Sequence, residues 1–252
     1  MSVLETDVML QAEGLSKRYT LGNLYSLSRT VAMLTRRPQN AANSKFDALS
    51  GVDFAVRRGE TIGIVGSNGA GKSTLLQILA GTSVPTGGRL SVRGRVMPLL
   101  AVGLGFHPEL TGRENVTLFA STVGISLDEI RRRMDAVIEF AGVGVHIDTP
   151  IKRFSSGMTS RLSVAIAVQF PADVYIFDEV LAVVDAEFQE RCLAEIRRLH
   201  SLGRTIFFVS HNQAQVSAVC SKVLWLEQGR VREFGPTDDV LEAYRLAHHL
   251  SA

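Results

Sequence analysis

Apolar residues along the chain change their period several times, and each change marks an element. Over residues 46–58, Val52, Phe54 and Val56 fall on one side and Asp53 and Ala55 on the other, and residues 1–20 alternate in the same way. A two-residue repeat is the mark of a half-buried strand. Between these strands Leu24, Leu27, Val31 and Leu34 recur at helical spacing until Pro38, and QNAANS (39–44) reads as a loop. Residues 21–45 therefore read as an insertion between two strands. TIGIV (61–65), VYIF (174–177) and TIFFV (205–209) are uninterrupted apolar runs, the pattern of strands covered on both faces.

The glycine loop after TIGIV should lead into a helix that runs to about Ala80 and closes at Gly81. PTGG (85–88) is a turn into a further strand, RLSVRG. From about 107 to 170 the pattern is helical. Thr111 with Glu114, and Ser126 with Glu129, have the capping-box spacing; the second helix should end near Gly142, and one following FSSGM (154–158) should stop at Pro171. A helix around 187–200 separates VYIF from TIFFV, residues 223–234 read as a hairpin turning near Gln228–Gly229, and the tail from Thr237 should be helical. The expected architecture is an α/β core with a helical lobe inserted at about 107–170.

Composition narrows this only a little. The 252 residues are 46% hydrophobic and 21% charged, the balance of a globular chain. The longest apolar run, VMPLLAVGLGF (96–106), is broken by proline and glycine and falls short of a bilayer span. MSVLETDV lacks the apolar centre of a signal peptide. A net charge of +2 gives no argument for nucleic acid, and the clusters Arg131–Arg133 and Arg197–Arg198 read as solvated helix faces. Cys192 and Cys220 have no metal or redox spacing, as expected of a chain in a reducing cytosol.

The chemistry begins at GSNGAGKST (66–74), which fits G-x-x-x-x-G-K-[ST] directly after a strand and before a helix. Gly66, Ser67, Asn68, Gly69, Ala70, Gly71 and Thr74 would bring backbone N–H groups onto phosphate oxygens, and the helix dipole adds positive charge there. Lys72 should contact the β- and γ-phosphates, and Ser73 should ligate Mg²⁺. YIFDE (175–179) ends an apolar strand with Asp178, placed to hold Mg²⁺ through water, and Glu179, placed to polarise the attacking water as a general base. TIFFVSH ends another with His211, within reach of a γ-phosphate. In parallel sheets, ligands gather at the carboxyl ends of the strands, so the three tips point to one place.

FSSGM then poses a question, because it offers Ser155, Ser156 and Gly157 at a second helix N-terminus suited to the same ligand. One phosphate loop already supplies the amides for one ATP. Either the lobe folds back onto that nucleotide, or the serines serve a nucleotide held by another copy, as a two-fold dimer would arrange in pairs. Phosphate loop, F-S-S-G-M, D-E and S-H follow the order found in ABC-transporter ATPases, and the resemblance covers nearly the whole chain. FSSGM stands where that family usually has LSGGQ; Ser155 and Gly157 match, while Ser156 and Met158 differ. The resemblance implies a P-loop NTPase core with a mixed sheet, an antiparallel β subdomain and an inserted helical subdomain. It also implies a head-to-tail homodimer with two ATP molecules at the joint, opened again by hydrolysis. Asp185, in LAVVD, matches the aspartate that communicates across the joint, and Tyr19, after LSKR, stands where many members carry an aromatic that stacks on adenine, with Phe46 as the alternative.

GFHPELTGREN (105–115), SSGM and DEVLAVVDAEFQ further resemble the exporters of undecaprenyl-linked polysaccharides: O-antigen, capsule and teichoic acid. These carry an insertion after the first strand, as residues 21–45 do here. The resemblance implies one ATPase domain over 1–252, of the form without a C-terminal carbohydrate-binding domain, with 237–252 as its last helix. It implies two copies of a separate transmembrane subunit, a lipid-linked glycan substrate, no nucleic acid, and a peripheral place on the cytoplasmic face of the inner membrane. The partner's coupling helix would dock near residues 99–119. The chain departs from the pattern at Ala101 and Val102, where the family usually has a polar residue contacting Mg²⁺, and at Val184, a glycine in the subfamily. The insertion helix has two readings. It is a surface helix laid on its own domain, or a gate whose Arg29, Arg36 and Arg37 attract the substrate's pyrophosphate. Outside this subfamily stand an exporter of another substrate and a soluble ABC ATPase that is not a transporter; a P-loop kinase or GTPase leaves SSGM and His211 unexplained.

Overall fold

A computed structural model describes residues 7–21, 44–100, 103, 105–179, 184–210 and 212–249. Two sheets organise these residues. One is antiparallel and three-stranded, with β1 (Val8–Leu21) between β2 (Ser44–Arg57) and β4 (Gly87–Val92). The strands β3 (Thr61–Val65), β5 (Val96–Leu99), β6 (Val174–Asp178), β7 (Thr205–Val209), β8 (Lys222–Glu227) and β9 (Arg230–Pro236) form a second sheet in the order β5-β6-β7-β3-β8-β9. All its pairings are parallel except β8 with β9. The α/β class and the mixed sheet are as expected.

The alternation of side chains along a strand explains how both faces of this sheet are covered. Tyr175, Phe177, Ile206, Phe208, Val223 and Trp225 point into one core, and Val174, Ile176, Phe207, Val209, Leu224 and Leu226 into another. The second core is closed by β1 and β2 and by helix α1 (Lys72–Leu79), through Leu10, Leu15, Val52, Leu75 and Leu76. The first is closed by helices. These are α2 (Gly112–Thr122), α3 (Leu127–Ala141), α4 (Ser156–Gln169), α5 (Ala186–Ser201), α6 (Gln213–Val219) and α7 (Thr237–His249). Within α4, Leu162 through Val168 are all buried, so it packs on every side.

The helix ends follow their sequence signals, with one difference. Thr111 and Glu114 form the full reciprocal box: the Glu114 N–H donates to Thr111 Oγ1 at 3.2 Å, and the Thr111 N–H donates to Glu114 Oε2 at 2.8 Å. Ser126 accepts from the Glu129 N–H at 3.3 Å, but the Glu129 carboxylate turns to Arg132 and Arg133. Arg133 also donates to the Gln169 carbonyl at 2.9 Å. It therefore ties α3 to the end of α4, which corrects the reading of Arg131–Arg133 as a purely solvated face. Gly142 closes α3 at φ 65°, as expected.

Two elements were not legible in the pattern. β5 lies within the Pro- and Gly-broken run VMPLLAVGLGF; it is an edge strand, where proline's missing N–H leaves no ladder bond unmade. Helix α6 is too short to show a period, and Asn212 caps it, accepting from the Ala214 N–H at 3.0 Å. The insertion is narrower than 21–45: β1 and β2 stay paired out to Leu21 opposite Ser44, so 21, 44 and 45 belong to the strands. Residues 22–43, including the expected helix with Arg29, Arg36 and Arg37, lie outside the described residues.

Candidate functional site

The site grows from the carboxyl edge of the parallel strands. In the ladders Gly63 lies opposite Phe208, and Phe208 opposite Phe177. Two residues further on, the chain leaves β3 at Val65, β7 at Ser210 and β6 at Glu179, all at one level. β7 lies between the other two, so the three tips converge as the apolar runs implied.

After β3 the backbone turns sharply. Gly66 has φ 152° and Gly71 φ 103°, and neither position has room for a side chain: a Cβ would come within 2.2 Å of the Leu226 carbonyl oxygen at Gly66 and 2.5 Å of the Ala48 carbonyl oxygen at Gly71. These glycines hold the loop tightly against β8 and β2. At Gly69 nothing lies within 4 Å, so the tip of the loop opens to space. Gly71 begins α1 without a side-chain cap, which leaves the first N–H groups of the helix to an outside acceptor. Lys72 Nζ folds over the loop, donating to the Gly66 carbonyl at 2.7 Å and the Ser67 carbonyl at 3.2 Å. Ala70 is buried, whereas Ser67, Asn68, Gly69 and Ser73 are exposed or half-buried at the loop surface and Thr74 lies beside them.

An open cleft of about 460 Å³ lies over this loop. Its walls are Phe46, Ala48, Asn68, Gly69, Gly71, Lys72, Ser73, Thr74 and Glu179. The hairpin turn at Gln228–Gly229 supports it from behind: the Gly229 N–H donates to the Ala70 carbonyl at 3.0 Å, and the Gly229 carbonyl accepts from the Ser50 N–H at 2.8 Å. Glu179 has φ 52°, unusual for a residue with a side chain, and its N–H donates to the Val209 carbonyl at 3.0 Å. Backbone held in this region clusters at functional sites. Asp178, half-buried, ends β6 opposite Val209.

These features fit a nucleoside triphosphate and Mg²⁺. The loop gives unpaired amides, an ammonium and open space at phosphate size, and Ser73 and Asp178 give the few hard oxygens that Mg²⁺ takes beside phosphate and water. When bound, Mg²⁺ would neutralise charge on the β- and γ-phosphates. Phe46 is the aromatic that lines the cleft. Tyr19, expected to stack there, is its cross-strand partner on the same sheet face; it is not part of the wall, and the Lys17 ammonium sits 5.1 Å from its ring centre. His211, Ala101 and Val102 lie outside the described residues.

FSSGM is not brought to this cleft. Ser155 is the N-cap of α4, its hydroxyl oxygen accepting from the Met158 N–H at 3.2 Å. Ser155 and Ser156 are exposed and Gly157 half-buried, and none of them lines the cleft. Asp185 caps α5 in the same manner, its Oδ1 accepting from the Phe188 N–H at 2.9 Å, and Val184 packs against the first core. A second, apolar groove of about 310 Å³ runs between the sheet and the lobe. Pro98, Leu99, Leu100, Phe106, Phe119 and Ile166 are among its walls. It coincides with the region near 99–119 and extends to Ala80, just past α1, and onto α4, where sequence spacing gave no signal. Both cysteines are buried; burial pushes the Cys192 thiol up to about 12 and the Cys220 thiol up as well, so neither takes part in thiolate chemistry.

A family model described as "ABC transporter" matches residues 49–182. The O-antigen export system ATP-binding protein RfbB of Klebsiella pneumoniae is 44% identical over 203 residues, 81% of this chain and 82% of that protein. The teichoic acids export ATP-binding protein TagH of Bacillus cereus is 41% identical over 79% of this chain but only 36% of its own length. Among solved structures, the post-hydrolysis dimer of the ATP-binding cassette MJ0796 with ADP and Pi superposes with a TM-score of 0.73 at 20% identity, over 91% of this chain and 99% of that one.

Proposed function

The chain belongs to the ABC transporter family of ATPases, and from that premise we propose that it is the ATP-binding and hydrolysing subunit of an exporter that moves undecaprenyl-linked polysaccharide across the cytoplasmic membrane. The substrate class is supported by 44% identity to a protein named for O-antigen export and 41% to one named for teichoic acid export. No helix among the described residues is long and apolar enough to cross a membrane. In this reading two copies of a separate transmembrane subunit supply the path, and the chain sits on their cytoplasmic face. The apolar groove beside Phe106 and Phe119 receives a helix of that subunit.

One observation carries the catalytic part of the reading. The chain builds two helix N-termini suited to phosphate and separates them: the loop at Gly71 opens on the cleft, and the cap at Ser155 lies exposed elsewhere. A head-to-tail homodimer makes use of both. Lys72, Ser73 and the loop amides of one protomer hold the triphosphate, Phe46 or Tyr19 packs on the base, and Ser155, Ser156 and Gly157 of the other protomer close over the γ-phosphate. Glu179 takes the proton of the attacking water, Ser73 and Asp178 are the residues that would hold Mg²⁺, and His211 steadies the γ-phosphate. Hydrolysis removes the group that both protomers grip, and the joint opens.

Mixing chains tests this directly. A Lys72→Ala chain and a Ser155→Arg chain should each be inactive alone. Mixed, one pocket of the heterodimer has both an intact loop and an intact cap, and ATP turnover should return. No recovery, with both chains folded by circular dichroism, overturns the two-chain pocket. The substrate class is tested on the chain co-purified with its membrane subunit. Lipid-linked oligosaccharide should raise the rate of ATP turnover, and an unchanged rate speaks against a glycan cargo.

A further inference from the structure

The β8–β9 turn lies outside the cleft walls, yet it joins two of them. β3 and β8 run parallel with Val65 opposite Trp225, so the phosphate loop and this turn leave the sheet at one edge. Gln228 and Gly229 both have positive φ, 47° and 75°, the geometry of a tight two-residue hairpin turn. Gly229 then bonds in two directions. Its N–H donates to the Ala70 carbonyl of the phosphate loop at 3.0 Å, and its carbonyl accepts from the Ser50 N–H of β2 at 2.8 Å. The loop and β2 are thus tied through one residue. That residue also has no room for a side chain. A Cβ on Gly229 would lie 2.7 Å from the Ala48 carbonyl oxygen, 3.1 Å from the Ala48 carbonyl carbon and 3.2 Å from Leu49 Cα. A Cβ on Gly71 would lie 2.5 Å from that same oxygen. The Ala48 carbonyl therefore sits in a notch between two glycines, one from the loop and one from the turn. On the same strand Phe46, 51% exposed, joins Ala48 in the cleft wall.

We propose that Gly229 is a positioning residue for the nucleotide. Its missing side chain lets β2 seat against the phosphate loop, and that seating sets how far the aromatic wall at Phe46 stands from Lys72 and Ser73. This assignment rests on the triphosphate placement proposed above. The three nearest atoms to a Cβ at 229 all belong to β2 and none to the loop. β8 is buried over Val223, Leu224, Trp225 and Leu226, whereas β2 before Ala48 is exposed at Lys45, Phe46 and Asp47. The end of β2 therefore yields before the turn does, and the loop stays in place. Phosphate still finds the amides and the ammonium, but a base no longer finds its wall at the right distance. Gly229 thus favours a ligand that fills both ends of the cleft, a nucleoside triphosphate, over phosphate alone.

The test is calorimetric binding of Mg·ATP, and of inorganic tripolyphosphate with Mg²⁺, to the full chain. Gly229→Ala should weaken ATP about tenfold, within the range for losing one aromatic–base contact, and leave tripolyphosphate within about twofold. Gly203→Ala is the control. Gly203 has φ 71°, and a Cβ there meets nothing within 4 Å, so the variant carries similar backbone strain without the collision and should leave both affinities unchanged. The loss should run through Phe46. Phe46→Ala weakens ATP by itself, and adding Gly229→Ala should cost less than about twofold more. Gly229→Asn tolerates a left-handed backbone and still carries a Cβ, so it gives the same split should Gly229→Ala fail to fold. Equal losses for the two ligands overturn the assignment, as do an unchanged ATP affinity, losses that multiply with Phe46→Ala, or the same split in Gly203→Ala. A chain that folds with neither substitution at 229 overturns it too, because the notch then serves the fold alone. Wild-type protein that binds no tripolyphosphate removes the triphosphate placement and this assignment with it. Normal wild-type binding with equal losses in Gly229→Ala removes this assignment alone.

Discussion

The phosphate loop and the FSSGM turn are the same device in two settings. Each places flexible or hydroxyl-bearing residues at the start of a helix, where the exposed N–H groups favour an anion. The loop is locked by its own chain: a Cβ at Gly71 would strike the Ala48 carbonyl oxygen, and one at Gly66 the Leu226 carbonyl oxygen. At Gly157 a Cβ would meet only Ser155 Oγ, at 3.9 Å. The crowding at the first site comes from within the protomer. Openness at the second means that whatever approaches it comes from outside. The difference teaches that a motif complete in sequence need not be a site complete in one chain.

The largest effect should come from the carboxylate that serves the locked site. Glu179→Gln keeps the size of the side chain and removes its basicity, so turnover should fall by about 10²–10⁴-fold, the range for loss of a general base. Nucleotide binding should survive, because the loop and Lys72 are untouched. The variant should then accumulate as a dimer in Mg·ATP, read by light scattering. Normal turnover would remove Glu179 from the mechanism, and slow turnover without a dimer would detach hydrolysis from the FSSGM turn.

Next in size is one substitution made at both sites. Gly71→Ala forces a Cβ into a carbonyl oxygen at a left-handed φ, which should destabilise the fold by on the order of 2–4 kcal/mol in denaturant unfolding. Gly157→Ala has space and ordinary helical backbone, so stability should hold or rise by about 0.4–1 kcal/mol, while turnover should fall if the added methyl stands between the protomers of the proposed dimer. Equal stability losses at the two glycines would end the contrast drawn above.

What the sequence could tell follows the same division. Strands β3, β6 and β7 and the caps at Thr111, Ser126 and Gly142 were readable because their causes are local: a buried apolar run, a hydroxyl three residues before an acid, or a glycine just past a helical period. The cleft's loop was readable because glycine at fixed spacing answers a backbone requirement. Contacts that depend on register were not. Tyr19 and Phe46 stand directly opposite each other on one sheet face, so alternation cannot say which of them reaches the cleft, and Phe46 lines it. β5 was hidden by Pro98, and the Arg133 link to Gln169 by the distance along the chain between two helices. The ion pair of Arg161 with Asp185 is of this last kind: each residue is ordinary alone, and only packing of α4 on α5 relates them.

The smallest effect tests how the lobe holds its own shape. Thr111 closes a reciprocal box with Glu114, and Ser126 makes only half of one, since Glu129 has gone to Arg132 and Arg133. Thr111→Ala removes the cap of α2 and should lower stability by about 1 kcal/mol. Its effect should depend on acid more than that of Ser126→Ala. The Thr111 backbone N–H, and after it the Thr111 hydroxyl, hold the Glu114 carboxyl below its usual 4.5. A carboxyl lowered by folding contributes fully above its unfolded value and loses that contribution as pH falls through its folded one. Thermal melts at pH 7 and then below 4.5 should therefore show the gap between wild type and Thr111→Ala narrowing, because alanine keeps the backbone N–H and loses only the hydroxyl bond to the Glu114 carboxylate, which protonation weakens. Glu129 is also held low, first by Arg133 and then by Arg132, and neither bond involves Ser126, so the Ser126→Ala gap should stay nearly constant over the same range. If both gaps shrink together, the bond from the Thr111 hydroxyl to the Glu114 carboxylate contributes nothing that the half box lacks.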